Sequence, residues 1–387
     1  MDRRFEELLT TLRGAQELRR TDTGVIPRRL PAWTSVQAAD PALDVMAGMP
    51  AGVRFELATD ATTLELDVLA TFLDVDGSAV GPSAAVFDLV VDGEVVASQV
   101  VEDGTRVVIE LAAGIFDVHE GETATVRFDG LPGDPAARVE VWLPHATTVE
   151  LRGGRVSPGA TLAPAAAHPR RWVHHGSSIS HCMEVGRPTR TWPALVARRA
   201  GVDLQDLAFA GQCMLDPCVA RTIRDLPADL ISLKLGVNVV IGDTMRERAF
   251  VPALHGFLDT IREGHPTTPL ILATPIHCPM AETQPGPHVE GVDGVFGPVP
   301  RPPGLADGAL HLVRIRELMD AAVSARRAAG DEHLHLVDGQ ALFGPADAGD
   351  LPDGLHPNEA GYARMADRFL ELAFGAGAPF TPWNLVT

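Results

Sequence analysis

The segment Asp353-Gly354-Leu355-His356-Pro357 places an acid and a base three residues apart, just before the last predicted helix. A serine nucleophile needs an imidazole to take its proton, and the imidazole needs a carboxylate to fix its tautomer and stabilise its charged form. A candidate nucleophile, Ser178, lies far upstream in Gly176-Ser177-Ser178-Ile179. The residues Ser178, His356 and Asp353 therefore have the types that serine-based acyl transfer requires.

Two further blocks lie between these segments, with Gly211 in Ala210-Gly211-Gln212 and Asn238 in Gly236-Val237-Asn238. The order Ser, Gly, Asn, then Asp-x-x-His-Pro resembles the SGNH (GDSL) hydrolase family. The matching blocks cover roughly half of the chain, from about Arg171 onward. Each block alone is a weak signal, because serine-glycine pairs and His-Pro before a helix are common in ordinary loops. The four blocks in family order are a strong signal.

The resemblance implies a role for each of these residues. Ser178 is the implied nucleophile, His356 the general base and Asp353 the residue that orients His356. The implied oxyanion hole consists of the Ser178 and Gly211 backbone N–H groups and the Asn238 side chain. Such donors raise the rate because they meet negative charge that develops only in the transition state.

The chain departs from the family pattern at two positions. The first family block usually reads Gly-Asp-Ser, whereas this chain has Ser177 in place of the aspartate. Val239 stands where the family often has an aspartate after the asparagine. We interpret both departures as marks of a sub-branch. Two alternatives remain: a non-catalytic role, in which Ser178 caps a helix and His356 lies in a surface loop, and a binding protein that has lost catalysis.

Length, composition and charge limit the classes of function. The chain has 387 residues, 45% of them hydrophobic and 21% charged, which favours two folded domains. The net charge of −19 argues against nucleic-acid partners and against anionic membrane surfaces. No window approaches the roughly 20 apolar residues of a membrane span, and the first residues lack the apolar core of a secretory signal. We therefore expect a cytoplasmic protein without nucleic-acid or membrane partners.

Cysteine and histidine positions predict neither a disulfide framework nor a metal site. Cys213 and Cys218 form a close pair, but no second pair completes a zinc site. The histidines near the motifs show no recurring ligand spacing, so we expect no metal and no cofactor; these histidines are His174, His175, His181, His277 and His288. We expect instead that His174 and His175 close a strand and that His181 lies near the pocket rim.

The first 155 residues predict one short helix followed by a β-sandwich. Phe5, Leu8, Leu9 and Leu12 have helical spacing. Alternating apolar and polar residues then predict antiparallel strands at residues 53–57, 63–68, 87–91, 94–96, 107–111, 124–128, 139–143 and 148–151. Pro- and Ala-rich residues 156–170 predict a linker.

Residues 171–387 predict the catalytic domain, because strands there alternate with helices. Strands are predicted at residues 172–173, 230–233, 270–273 and 334–337, and helices at residues 192–200, 250–263, 309–329 and 357–374. This pattern indicates a parallel sheet covered by helices on both faces, a three-layer α/β/α fold. Reactive groups gather beyond the carboxyl ends of such strands, where Ser178, Gly211 and Asn238 are expected.

Two regions have an open role. The sandwich resembles carbohydrate-binding modules, but the chain has one tyrosine and this half has only Trp33 and Trp142 for sugar stacking. We therefore expect the sandwich to form a wall of the active-site cleft. The Pro- and Gly-rich loop from His277 to about Gly308 is expected to overhang the pocket as a lid or acceptor-binding wall, with a disordered insertion as the alternative.

The triad serves hydrolysis and acyl transfer equally, so the acceptor is a separate question. The two-domain pattern resembles intracellular GDSL enzymes that act on esters and the salicylyl acyltransferases of tetracycline-type polyketide biosynthesis. The expected substrate-binding residues form an apolar, adaptable rim: His181, Cys182, Gln212, Met214 and His277. We expect transfer from a thioester donor such as an acyl-CoA to a hydroxyl of a bulky natural product, as in antibiotic biosynthesis. The alternative is an esterase acting on small-molecule or carbohydrate O-acyl esters.

Overall fold

Alternating apolar residues fold the first part of the chain into two facing sheets. The computed structural model describes residues 3–38, 40–75, 84–110, 115–291 and 294–381. The first part contains helices α1 (Arg3–Leu9) and α2 (Pro41–Gly48). Its strands are β1 (Leu12–Arg13), β2 (Glu17–Arg20), β3 (Val25–Arg28), β4 (Arg54–Thr59), β5 (Thr63–Val75), β6 (Ala85–Val91), β7 (Glu94–Val101), β8 (Thr105–Glu110), β9 (Ile115–His119), β10 (Ala124–Asp129), β11 (Val139–Trp142), β12 (Thr148–Val156) and β13 (Leu162–Pro164).

The strands form a sandwich of two sheets. One sheet has the order β1-β4-β11-β6-β7, and β13 also pairs with β4. The other has the order β2-β3-β12-β5-β8-β9, and β10 also pairs with β5. Side chains from both sheets, including Phe55, Phe87 and Phe128, share one buried core. Burying each such side chain contributes roughly 1.5–3 kcal/mol to folding.

Four details of the sandwich differ from the prediction or lie outside it. Leu12 belongs to β1 and not to the first helix, which ends at Leu9. The predicted linker contains β13, whose Leu162 pairs with Thr59; its proline is tolerated because an edge position needs no further N–H donor. One pair, β5 with β8, runs parallel in this otherwise antiparallel sandwich. Leu111, the end of one predicted strand, lies outside the described residues.

The second part of the chain forms a parallel sheet with helices packed against it. Its strands are β14 (Arg171–Gly176), β15 (Asp203–Ala208), β16 (Leu230–Lys234), β17 (Leu270–Ala273), β18 (His288–Glu290), β19 (Phe296–Pro298) and β20 (Leu334–Val337). Its helices are α3 (Ser178–His181), α4 (Trp192–Ala200), α5 (Pro217–Asp225), α6 (Val237–Ile241), α7 (Glu247–Gly264), α8 (Leu312–Ala328), α9 (Gly339–Leu342) and α10 (Glu359–Phe374). Short 3-10 turns lie at Ala32–Thr34, Pro188–Arg190, Pro279–Ala281, Pro303–Leu305 and Pro345–Asp350.

The five-stranded sheet has the order β15-β14-β16-β17-β20, and every pair in it is parallel. The predicted α/β class and the four predicted strands are confirmed. The strand β15 was not predicted, because its polar residues hide the strand pattern. Those residues face the sandwich: Asp203 accepts from Arg54 Nη2 at 2.7 Å, and Gln205 Oε1 accepts from Gln16 Nε2 at 2.7 Å. Within the described ranges, no helix is long and apolar enough to cross a bilayer.

A fully buried guanidinium joins the two domains. Arg29 follows β3 of the sandwich and has no exposed surface. It donates to the carbonyl oxygens of Met46 and Met49 at 2.6 Å each, and to those of Asp206 and Ala208 at the end of β15. Burial lowers the pKa of Arg29 to about 10, although the nearby charge of Asp206 opposes the shift. The guanidinium therefore remains charged at neutral pH.

Trp142 packs at the same junction instead of offering a sugar-stacking surface. Its ring is 2% exposed and lies in a small cluster with Val90 and with Ala194 of α4. Its indole N–H donates to Glu140 at 2.7 Å, and the Arg54 guanidinium lies 4.9 Å from the ring. Burial of this side chain leaves Trp33 as the exposed tryptophan in the described part of the sandwich half, in agreement with the sequence argument against independent sugar binding.

We predict that Arg29→Met destabilises the protein by roughly 3–5 kcal/mol, because it leaves buried carbonyls and the Asp206 carboxylate without their donor and counter-charge. Calorimetric unfolding measures the loss. The matched control is Arg20→Met, which removes an exposed guanidinium 3.4 Å from Glu6 and should cost less than about 1 kcal/mol. Equal losses in the two variants would contradict a structural role for Arg29.

Buried histidines predict a loss of stability in mild acid. Burial lowers the pKa of His145 and of His175 to about 4, although backbone hydrogen bonds to Cys182 and Leu207 oppose the shift. The unfolded chain, with an ordinary histidine pKa of about 6.5, binds more protons between these values. The free energy of unfolding should therefore fall as the pH falls from about 6.5 to 4, by roughly 1.4 kcal/mol per pH unit for each histidine.

The slope of stability against pH tests the role of His145. In His145→Gln, the new amide can replace the Nε2 donor to Cys182, whose carbonyl lies 2.9 Å away, but it cannot titrate. The slope should decrease by about one proton relative to the wild type. The matched control is His119→Gln, which replaces a side chain that is 64% exposed. An unchanged slope in His145→Gln would show that this imidazole is already protonated in the folded state.

Candidate active site

The carboxyl ends of three adjacent parallel strands bring the predicted site residues to one edge of the sheet. Ser178 begins α3 directly after β14, Gly211 follows β15, and Asn238 lies in α6 after β16. Parallel strands end at the same edge, so these residues converge although they are distant in sequence. Asp353 and His356 reach this edge from the loop that precedes α10.

The turn that carries Ser178 is tightly packed. A Cβ at Gly176 would lie 2.4 Å from Ser180 Oγ, so only glycine fits at the end of β14. The Ser177 hydroxyl caps α3 by accepting a hydrogen bond from the Ile179 N–H at 3.3 Å. This serine, where the family usually has aspartate, thus performs a local capping role. Ser178 follows it at the first position of the helix and is 8% exposed.

His356 bridges the serine and the aspartate. Its Nε2 lies 2.8 Å from Ser178 Oγ, and its Nδ1 lies 2.6 Å from Asp353 Oδ2. A carboxylate can only accept, so in the neutral imidazole the proton is on Nδ1 and Nε2 accepts from the serine hydroxyl. Asp353 Oδ1 also accepts from the Leu355 and His356 backbone N–H groups at 2.8 and 2.7 Å. Both carboxylate oxygens are therefore fixed by the loop.

The charges around His356 favour its protonated form. Burial opposes a charge on His356, but the carboxylates of Glu184 and Asp353, with a smaller contribution from Glu290, raise its pKa above the ordinary value. Burial also acts against ionisation of Asp353, yet the hydrogen bond and charge of His356 and two backbone N–H groups lower the pKa of that carboxyl. The carboxylate of Asp353 is therefore already ionised and in place when His356 takes a proton, and it stabilises the resulting imidazolium.

Gly211 and Asn238 line the same cavity as Ser178. Asn238 Oδ1 accepts from the Cys213 N–H at 3.0 Å, so its amide nitrogen is the part of the side chain left to donate into the cavity. Gly211 has φ of +69°, a left-handed conformation that favours glycine. The preceding Ala210 N–H donates to His181 Nδ1 at 3.4 Å. Ser178, Gly211 and Asn238, the three residues of the predicted oxyanion hole, thus line one cavity.

This cavity has a volume of about 240 Å³ and contains both apolar and acidic groups. The long loop contributes to it through the β18–β19 hairpin. Phe296 lies edge-on to the His356 ring at 5.9 Å, and its N–H donates to the Asp353 carbonyl at 2.9 Å. The described part of the loop is therefore a wall of the cavity. The lining residues are Ser178, Met183, Glu184, Ala210, Gly211, Asn238, Ile241, Glu290, Phe296, Asp353, Leu355 and His356.

The five predicted substrate-binding residues are not in this lining. His181 and Cys182 have no exposed surface, and Cys182 adopts a left-handed conformation (φ +57°) that ends α3. After this turn, Met183 and Glu184 line the cavity instead. The sequence does not show which way the chain turns after a short helix, so closeness to Ser178 in the sequence did not predict the lining of this cavity.

The other three predicted rim residues have partners elsewhere. Gln212 Nε2 donates to Asp40 at 3.4 Å, the Met214 sulfur accepts from the Thr244 hydroxyl at 3.3 Å, and His277 Nδ1 lies 3.1 Å from Glu282. The described lining residues of this cavity all come from the second domain, so they do not include the predicted wall from the sandwich.

The sandwich instead supports the site from behind. His145 Nε2 donates to the Cys182 carbonyl at 2.9 Å, and His181 Nε2 donates to the His145 carbonyl at 2.7 Å. With its proton on Nε2, His181 accepts at Nδ1 from Ala210, next to Gly211. A short chain of hydrogen bonds therefore connects the sandwich to both sides of the cavity.

Comparisons with known proteins agree with this architecture. A model of the GDSL-like lipase/acylhydrolase family matches residues 175–364, and a model of the SsfX3 N-terminal domain matches residues 10–152. The solved structure of a salicylyl-acyltransferase, SsfX3 from a tetracycline biosynthetic pathway, is 30% identical, with 92% of each chain covered and a TM-score of 0.75. We found no significant match among curated proteins.

Two more distant structures share the fold. A putative GDSL-like lipase from Bacteroides ovatus is 18% identical, with 95% of each chain covered and a TM-score of 0.63. A family two carbohydrate esterase from Clostridium thermocellum is 15% identical over 82% of this chain and 91% of its own, with a TM-score of 0.53. The salicylyl-acyltransferase, at 30% identity over 92% of each chain, shows the family as well as the fold. The chain belongs to the GDSL-like lipase/acylhydrolase family and is an enzyme of the acyltransferase or esterase type.

Proposed function

We propose that this enzyme transfers an acyl group from a thioester donor to a hydroxyl of a bulky, polyketide-like natural product, with Ser178 carrying the acyl group between them. The observation that carries the catalytic part is the position of His356, 2.8 Å from Ser178 Oγ and 2.6 Å from Asp353. Support for transfer over hydrolysis is the 30% identity, across 92% of the chain, to a salicylyl-acyltransferase.

In the first step, Ser178 Oγ attacks the thioester carbonyl and His356 Nε2 takes the hydroxyl proton. The tetrahedral intermediate carries its negative charge on the former carbonyl oxygen, where the Ser178 and Gly211 N–H groups and the Asn238 amide are the proposed donors. Collapse expels the thiolate, which receives the proton from His356. The products are a free thiol and an ester on Ser178, and neither step requires a metal or cofactor.

In the second step, the acceptor hydroxyl gives its proton to His356 and attacks the ester on Ser178. The intermediate collapses, and His356 returns the proton to Ser178 Oγ. Water could take the acceptor's place, which would make the enzyme an esterase. The apolar side chains of Met183, Ile241, Phe296 and Leu355 around the cavity favour a bulky acceptor that displaces water.

We predict that the wild type, mixed with a panel of acyl-CoA donors, gives an intact-mass increase equal to one acyl group, and that Ser178→Ala does not. The matched control is Ser180→Ala, whose hydroxyl is buried with no hydrogen-bond partner in the described part of the chain and should be dispensable. A lasting adduct supports a transferase and identifies the donor class. Rapid Ser178-dependent release of free acid would mean an esterase, and acylation of Ser178→Ala would contradict the assignment of the nucleophile.

We predict that Asn238→Ala lowers kcat by about 10²–10³-fold with a much smaller change in KM, because an oxyanion donor acts mainly in the transition state. Initial rates with the donor identified above measure both constants. The variant also removes the acceptor of the Cys213 N–H, so its thermal unfolding must be compared with the wild type. A rise in KM at unchanged kcat would place Asn238 in ground-state binding instead.

A further inference from the structure

A second carboxylate lies beside the imidazole of His356. Glu184 Oε1 is 3.5 Å from His356 Nδ1, the same nitrogen that lies 2.6 Å from Asp353 Oδ2. Glu184 is outside the motif blocks that carry the family resemblance, and it reaches the cavity through the turn after α3. The Nδ1 proton therefore faces two carboxylates, one at hydrogen-bond distance and one slightly beyond it.

Tyr362 fixes the position of Glu184. Its hydroxyl donates to Glu184 Oε2 at 2.8 Å, and the tyrosine has no exposed surface in α10. Burial and the charge of Glu184 raise the pKa of Tyr362 well above its ordinary value, so the phenol keeps its proton and remains a donor. The side chain of Glu184 is 14% exposed. One oxygen is thus bound by the tyrosine while the other is directed toward His356.

The groups that face His356 come from four elements. Asp353 lies in the same loop, Glu184 follows α3, and Glu290 belongs to β18. Ser178 Oγ lies at Nε2, and Tyr362 of α10 acts through Glu184. Among the lining residues that the structure describes, there is no lysine or arginine to offset these carboxylates. An imidazolium formed at this position is therefore surrounded by negative charge.

We propose that Glu184 is a positioning residue for the reaction: fixed by Tyr362, it shares with Asp353 the roles of orienting His356 and stabilising its charged form. This proposal rests on the proposed function of Ser178 and His356. Glu184 takes no proton and forms no bond to substrate. When His356 Nε2 accepts the serine proton, the Nδ1–H stays on the ring, donates to Asp353 and is attracted by Glu184.

Two consequences follow for activity. Removing the charge of Glu184 lowers the pKa of His356, because one of the carboxylates that favour the imidazolium is lost. The neutral imidazole that acts as base then persists to lower pH, so the acid limb of kcat/KM moves to lower pH. Conversely, an enzyme that has lost the charge of Asp353 retains Glu184 as a carboxylate beside Nδ1.

The experiment compares the pH profiles of kcat/KM for the wild type and Glu184→Gln. We expect the acid limb of the variant to shift to lower pH. The low-field Nδ1–H resonance of His356, assigned by its absence in His356→Gln, should titrate at lower pH as well. The control, Glu359→Gln, alters a half-exposed carboxylate one turn before Tyr362 in α10 and should shift neither measurement. Identical profiles for Glu184→Gln and the wild type would overturn the proposal.

Two further variants separate positioning from a merely structural role. Tyr362→Phe keeps the ring but releases Glu184, and it should shift the profile in the same direction as Glu184→Gln. Asp353→Asn should lower kcat by less than the roughly 10⁴-fold expected where a single carboxylate orients the histidine. Adding Glu184→Gln to Asp353→Asn should then remove the remaining activity. If the double variant is no slower than Asp353→Asn alone, Glu184 is not a second partner.

The proton resonance is read on the resting enzyme and on Ser178→Ala, so it does not depend on turnover. A Ser178→Ala variant with wild-type activity would refute the proposed function, whatever the resonance shows. A strictly Ser178-dependent enzyme whose resonance is unmoved by Glu184→Gln would refute the present proposal alone. If Glu184→Gln fails to fold, the Nδ1–H resonance of His356 and the pH profile of kcat/KM are measured on Tyr362→Phe instead. A shift of both to lower pH supports the proposal, and no shift refutes it.

Discussion

The buried charge of Arg29 is the constraint on which the relation between the two domains depends. A guanidinium without exposed surface is tolerated only if its donors are satisfied, and its partners come from both domains. Met46 and Met49 lie in the sandwich half, whereas Asp206 and Ala208 lie at the end of β15. Separating the domains would expose this charge to solvent or leave it buried without its partners. The carboxyl end of β15 therefore has a fixed position relative to the sandwich.

That position matters because Gly211 follows β15 directly. The Arg29 guanidinium lies 4.8 Å from the Phe209 ring, and the Ala210 N–H donates to His181, which itself donates to His145 of the sandwich. The sandwich thus acts on the site through the backbone that presents Gly211 and through the turn after α3. Buried neutral histidines suit this task, since each offers one donor and one acceptor at fixed places without introducing a charge.

Within the site, the distribution of charge follows the needs of acid–base chemistry. Two carboxylates, Asp353 and Glu184, lie near Nδ1 of His356, and Gly211 and Asn238 line the same cavity as Ser178. In the proposed reaction, the carboxylates stabilise the imidazolium and the donors stabilise the oxyanion. Both charges appear only as the reaction proceeds, so a site arranged in this way favours the transition state over the bound substrate.

The sequence by itself determined the chemistry and the fold class. Ser178, Gly211, Asn238, Asp353 and His356 stand in short blocks, and each block follows a strand or precedes a helix, so its place at the sheet edge could be predicted. The three-layer domain and the sandwich were predicted because apolar periodicity is a local property. The strand β15 was not predicted, since its polar residues Asp203 and Gln205 form hydrogen bonds with the sandwich and interrupt the apolar pattern.

Only the tertiary structure decided which side chains surround the reacting atoms. Cys182, one of the rim residues proposed from sequence proximity, is fully buried and ends α3 in a left-handed conformation, and the next residues, Met183 and Glu184, line the cavity. Glu184 contacts His356 and Tyr362, although both lie far from it in the sequence. Glu184 and Tyr362 are separated by 178 positions. Such contacts depend on the direction of turns and on the packing of distant elements, and no local pattern of residue types contains that information.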